Sequence, residues 1–129
     1  MPREIFSIVC DDIRIEQGNK VSLMGIYTDG ILVSQLPFVF PKLCLAQQFE
    51  DDMESHELTV VLVGPKLKKE AKLQSKERTK EVVSIFIGFG GVRVFEEGDY
   101  RFETFRDGAS EPLITRKFFI RLNPDLKIT

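Results

Sequence analysis

The chain has 129 residues and a mass of 14.8 kDa, enough for one compact domain and hardly for two. Hydrophobic residues at 43% and charged residues at 29% describe ordinary globular protein, which excludes collagen-like, disordered and disulfide-dense classes. With 18 Lys and Arg against 20 Asp and Glu, the net charge of −2 argues against a nucleic-acid binder charged over its whole surface, while a local basic patch stays open.

Eleven Phe, no Trp and two Tyr supply aromatic mass that wants burial and carries few polar handles. In chain order, the apolar run Ile5–Cys10 is shorter than a signal-peptide core, and Asp11 and Asp12 follow it at once. No window approaches the 18 apolar residues of a spanning helix, so the expectation is a cytoplasmic protein with no membrane association. Cys10 and Cys44 are too few and too far apart for a metal spacing. Three readings remain for them: buried small hydrophobes, a pair close enough to cross-link, or a reactive thiol, the last disfavoured by Asp11 and Asp12 beside Cys10.

Short β-branched and aromatic runs separated by turn residues dominate the chain. Phe6, Ile8 and Cys10 share one parity and Ile13 and Ile15 the other, which predicts a bulge or bend near Asp11-Asp12. Gln17-Gly18-Asn19 is a turn, with Gly18 able to take positive φ, and Val21–Tyr27 returns to make a hairpin. After Thr28-Asp29-Gly30 and Ile31–Val33, two prolines, Pro37 and Pro41, bracket Phe38-Val39-Phe40. Proline cannot donate to a ladder, so this reads as a crossing between sheets or an edge piece, with at least one of the three residues outward.

Lys42–Phe49, His56–Gly64, Val82–Phe89 and Val92–Phe95 read as further strands. In the next, Tyr100, Phe102 and Thr104 face inward, with the Tyr100 hydroxyl finding a backbone partner. The last, Pro112–Leu122, turns Phe118, Ile120 and Leu122 inward and leaves Phe119 half-exposed or at a contact. Lys66–Glu81 holds seven basic residues and three acidic ones. It fits an extended charged hairpin arm, a short surface helix or a disordered stretch. The fold expected is all-β: a single-domain antiparallel β-sandwich of eight or nine short strands spanning residues 1–129.

No motif assembles chemistry. His56 is the only histidine, and its neighbours Ser55, Glu54 and Glu57 do not make a triad, since adjacent strand residues point to opposite faces. His56, Cys10 and Cys44 lack a zinc spacing. Aspartates near turns admit a calcium reading, but none forms an EF-hand loop. Gly88, Gly90 and Gly91 lack the residues of a phosphate loop and read as a bulge or bend. No cofactor, metal or catalytic residue is assigned.

Two stretches carry resemblances. Cys10-Asp11-Asp12-Ile13-Arg14, then Gly18 with Lys20-Val21-Ser22-Leu23-Met24-Gly25-Ile26-Tyr27, Leu36-Pro37 and Pro41-Lys42-Leu43 form the pattern C-D-x-x-R, G-K-x-S-L-x-G-I-Y, L-P, P-K-L. This resembles a family of small uncharacterised bacterial proteins also found near phage-like genes. Asn19 between Gly18 and Lys20 departs from the pattern, and the resemblance implies no catalytic residue. Gly98, Tyr100 and Phe102 with Asp107-Gly108 are similar to the ending of bacterial immunoglobulin-like sandwich domains, which implies a fold and no reaction.

The function expected is a non-catalytic binding or assembly module whose partner is a protein or a second copy. Phe38, Phe40 and Phe119 are the interface residues, and Lys68, Lys69 and Lys72 an electrostatic contact. The alternatives are a small hydrolytic enzyme, or an accessory protein touching nucleic acid through the basic stretch 66–80.

Overall fold

A computed structural model describes residues 3–50, 57–74, 82–106 and 108–125. His56 and the stretch 75–81 lie outside these described residues, as do the loop aspartates Asp51, Asp52 and Asp107. Nine strands and no helix are present among them: β1 (Arg3–Glu16), β2 (Lys20–Tyr27), β3 (Gly30–Val33), β4 (Phe38–Glu50), β5 (Glu57–Gly64), β6 (Leu67–Gln74), β7 (Val82–Val94), β8 (Gly98–Arg106) and β9 (Ile114–Leu122). One sheet has the order β2-β1-β4-β7 and the other β3-β9-β8-β5-β6. They form a β-sandwich. All pairings are antiparallel except β3 with β9, which is parallel. Not every strand is short: β1, β4 and β7 run 13 or 14 residues.

The inner faces meet in one apolar cluster containing Val9, Leu43, Leu45, Phe49, Leu58, Val60 and Leu62. Through its middle runs a file of rings, Phe89–Phe102–Phe118–Tyr100, with centroids 6.1, 5.7 and 6.0 Å apart in turn. Tyr100 is 1% exposed, and its hydroxyl donates to the Glu96 carbonyl at 2.6 Å, the backbone partner expected of it. One polar seam crosses the core: the Thr104 hydroxyl donates to Gln47 Oε1 at 2.6 Å, and Gln47 Nε2 donates to Ser7 Oγ at 2.9 Å. Because both buried groups have partners, the seam avoids the cost of a dry unpaired amide.

Several local expectations change. Against β4 the register of β1 shifts between Glu4 and Phe6, and against β2 it is interrupted near the expected place, where Asp11 and Gly25 drop out of the ladder and Gly25 takes φ 67°. β1 continues beside β2 after its ladder to β4 ends at Cys10↔Cys44, and Ile15 near its end is 85% exposed. At the hairpin tip Gly18 and Asn19 both take positive φ, 85° and 57°, the region that Gly enters without penalty and Asn tolerates. Phe38–Phe40 belongs to β4, but β1 does not reach this part of it, so Pro41 sits on a locally open flank, where proline is tolerated. Across from Pro41 stands Gly91 with φ 59°. Both strands change parity at this step: Phe40 and Leu43 point inward on β4, as do Phe89 and Val92 on β7. Leu122 was expected inward and is exposed at the end of β9.

Residues 67–74 are strand, not helix, paired along their length with β5. Leu67, Ala71 and Leu73 pack on the core from this edge strand, which gives the charged stretch the apolar side that a solvated helix lacked.

Candidate functional site

The site begins where two strands part. Cys10 and Cys44 are the last residues at which β1 and β4 pair, and both are fully buried. Beyond them β1 continues beside β2 and β4 beside β7, and the split opens a cleft at the end of the sandwich. Its volume is about 550 Å³, within the range of small-ligand pockets. Ile31, Leu32 and Val33 of edge strand β3 form one wall, and Phe38, Phe40 and Pro41 of β4 form another. Phe38 and Phe40 meet edge to face, centroids 4.8 Å apart.

Polar groups line the rim. The Tyr27 hydroxyl donates to Asp11 Oδ1 across the β1–β2 pair. Burial, followed by the Asp11 carboxylate, raises the Tyr27 hydroxyl well above its ordinary range, so it remains a donor. Gly25 makes room for the Asp11 side chain: a Cβ there would lie 2.3 Å from Asp11 Oδ2, and its φ of 67° also favours glycine. Lys42 Nζ donates to Asp12 Oδ1 at 2.9 Å, and the same oxygen accepts the Ile13 amide at 2.9 Å. The Lys42 hydrogen bond holds the Asp12 carboxyl below its usual range and lifts the Lys42 ammonium above its own. Asp12 is thus matched by a cation, whereas Asp11 has no ammonium or guanidinium within ion-pair distance among the described residues.

Under the rim lie the thiols. Cys10 Sγ is 3.5 Å from the Asp12 carbonyl and Cys44 Sγ 3.6 Å from that of Asp11. Burial pushes the Cys10 thiol up to about 11, with Cys44 adding to it, and burial also raises Cys44. Both are free thiols that pack as small hydrophobes, and they face each other across the ladder.

The expected site residues are scattered. Phe38 is half-buried in the cleft wall. Phe40 does not point outward: at 4% exposed it packs in the core cluster and also lines the cleft beside Phe38. The outward residue of the bracketed trio is Val39, 51% exposed. Phe119 is half-buried on β9, outside the cleft lining, with its ring over Gly30 and the Arg121 guanidinium 4.5 Å above it. Of the three lysines, Lys69 donates to the Gly90 and Gly91 carbonyls at 2.9 and 3.3 Å, bridging the sheets at the β7 kink. Lys72 is 3.8 Å from Glu57, and Lys68 lines a shallow charged hollow with Glu70 and Arg101. Among the described residues no group of three or more His, Cys, Asp or Glu is gathered as a metal would need.

The cleft itself was not singled out by residue reasoning, since Asp11 and Tyr27 are 16 positions apart and Asp12 and Lys42 are 30 apart. The one signal was the quoted pattern. Its Cys10-Asp11, Gly25-Ile26-Tyr27 and Pro41-Lys42-Leu43 pieces converge on this place. No curated protein and no solved structure matches the chain. A family of unknown function, DUF6941, matches residues 5–115, well beyond the N-terminal half that carried the pattern, and the chain belongs to that family.

Proposed function

We propose that the protein is a non-catalytic binding module that holds a protein partner at the cleft between β1, β3 and β4. The observation that carries this reading is the combination in one concavity of an apolar wall, an aromatic pair and a rim with one carboxylate matched by a lysine and one not. Such a mixture suits recognition, where apolar contact supplies affinity and a few fixed polar groups supply orientation. The basic strand β6 is the weaker place for a partner, because Lys69 and Lys72 are engaged within the protein.

An immunoglobulin-like kinship is part of the same proposal. It is supported by the sheet order β9-β8-β5-β6, which follows G-F-C-C′, by β1-β4-β7, which follows A-B-E, and by the Tyr100 hydroxyl bonded to backbone four residues upstream. In that scaffold the strands are the frame and the ends carry binding, and the cleft lies at an end. Cytoplasmic residence also belongs to the proposal and is supported by the buried thiol pair, which a reducing compartment keeps as thiols.

A photo-cross-linking residue placed at Leu32, with the same residue at Thr115 on the outer face of β9 as control, tests the reading. Mass spectrometry of the adducts in the native host should find a discrete protein joined at position 32 and mapped to the cleft. An adduct of twice the chain mass would make the partner a second copy. Adducts formed equally from both positions, or only from the control, would remove the cleft as the binding surface.

A further inference from the structure

We infer that the cleft recognises a lysine or arginine side chain carried on an extended segment of the partner, an inference that rests on the binding reading above. The cleft's charges are unequal: Lys42 is engaged with Asp12 at 2.9 Å, and Asp11 stands at the rim with the neutral Tyr27 hydroxyl as its one side-chain partner among the described residues. That hydroxyl fixes one carboxylate oxygen, and Gly25 leaves the space that the other occupies. The carboxylate is therefore oriented before any ligand arrives, which removes part of the entropy cost of binding. The walls carry the rings of Tyr27, Phe38 and Phe40. A carboxylate beside aromatic faces is the chemistry that selects an organic cation with an apolar stem: the charge meets the carboxylate and the rings, and the methylenes cover the aliphatic wall.

The extended form of the segment follows from β3. In a parallel pair, alternate residues turn both backbone groups toward the partner strand. The Asn123 amide donates to the Val33 carbonyl at 2.8 Å, so Val33 turns toward β9 and Leu32 turns its N–H and C=O the other way. β3 is the edge of its sheet, so among the described residues no strand takes those groups. Leu32 is 48% exposed and belongs to the cleft wall. An incoming strand can thus hydrogen-bond beside Leu32 while a side chain enters the cleft, which is strand addition with one specificity pocket. A chain of four residues, as in β3, accepts a short segment and does not template a long one.

The test uses the full chain, labelled for amide NMR, and three probes: acetyl-valyl-lysyl-valinamide, its norleucyl counterpart and n-butylamine. The lysyl peptide should shift the amides of Asp11, Tyr27 and Leu32 saturably and bind about tenfold more tightly than the norleucyl peptide. Asp11→Asn keeps an oxygen for the Tyr27 hydroxyl and should erase that difference, with thermal melting as the check on folding. Leu32→Lys, at an exposed edge position, sets the protein's own ammonium beside the cleft and should lower the ratio of lysyl to norleucyl affinity about tenfold. Equal binding of the two peptides, or a preference that survives both substitutions, overturns the inference and leaves the binding reading standing. Butylamine binding as tightly as the lysyl peptide overturns the extended segment. If none of the three probes moves the cleft amides, the inference and the binding reading fall together.

Discussion

The two tyrosines satisfy their hydroxyls in opposite ways. Tyr100 is enclosed by the core and donates to a main-chain carbonyl four residues upstream, at Glu96. Tyr27 stands half-buried at a cleft rim and donates to a side-chain carboxylate 16 residues upstream, on the neighbouring strand. A main-chain partner only closes an account that burial opened, since an unpaired buried hydroxyl is costly. A carboxylate partner does more: it brings a charge to the surface and fixes where that charge sits. The first arrangement holds a corner of the fold together, and the second fixes a charge at the rim, the feature on which the binding proposal rests.

The largest expected effect lies on the Tyr100 side. Phe102→Ala removes the middle of the ring file between Phe89 and Phe118 and should cost about 3–5 kcal/mol in urea unfolding. Tyr100→Phe leaves the Glu96 carbonyl without its donor and should cost about 0.5–1.5 kcal/mol. Tyr27→Phe should change stability by about 0.5 kcal/mol or less, since its hydrogen bond is open to water. Equal losses from the two Tyr→Phe changes would break the contrast and make Tyr27 a second clamp of the fold.

The fold was legible because inward parity is a local property. Tyr100, Phe102, Phe118 and Ile120 all point as their alternation predicts. Where local reading failed, a neighbouring strand decided. Phe40 turns inward because β4 and β7 change parity together at Pro41 and Gly91, which no single strand reveals. The irregularity expected near Asp11-Asp12 coincides with the break in pairing at Asp11 and Gly25, yet Ile15, which it was expected to bring inward, stays outside. The cleft depends on where the β1–β4 ladder stops, a matter of register between segments some 30 residues apart. Lys69 looked like a solvated charge because the kink carbonyls of Gly90 and Gly91, on the other sheet, were not visible from its own segment.

The pH dependence of stability sharpens the contrast with its order reversed. Burial holds the Cys10 thiol at about 11 in the folded protein, and Tyr27, Tyr100, Cys44 and Lys42 are also raised. In the unfolded chain a thiol loses its proton near pH 8.5 and a tyrosine near about 10. Above those values the unfolded state binds fewer protons than the folded one, so stability must fall as pH rises. The urea midpoint should hold up to about pH 8.5 and decline steadily from there to about 11. Cys10→Ala should flatten the first part of that decline. Tyr27→Phe should flatten the later part more than Tyr100→Phe does, because Tyr27 is raised further, by both burial and the Asp11 carboxylate. A decline unchanged by Cys10→Ala would mean that the thiol under the cleft rim is open to water.

The smallest effects are expected on β6, and they separate the cleft from the other charged region of the molecule. Lys68 and Lys72 share the outer side of that strand, and the Lys72–Glu57 contact at 3.8 Å is an exposed pair, a kind that contributes little. Reversing both to Glu should change stability by about 0.5 kcal/mol or less and leave lysyl-peptide binding at the cleft as it was. Lys69→Gln should cost more, about 1 kcal/mol, since it takes a cation from two carbonyls at the β7 kink. The order matters more than the sizes. If the double reversal abolished partner binding while the cleft substitutions did not, the electrostatic feature that recognises the partner would be β6. Asp11 and Tyr27 would then be a surface counterpart of the Tyr100 corner, fastening a hairpin instead of presenting a charge.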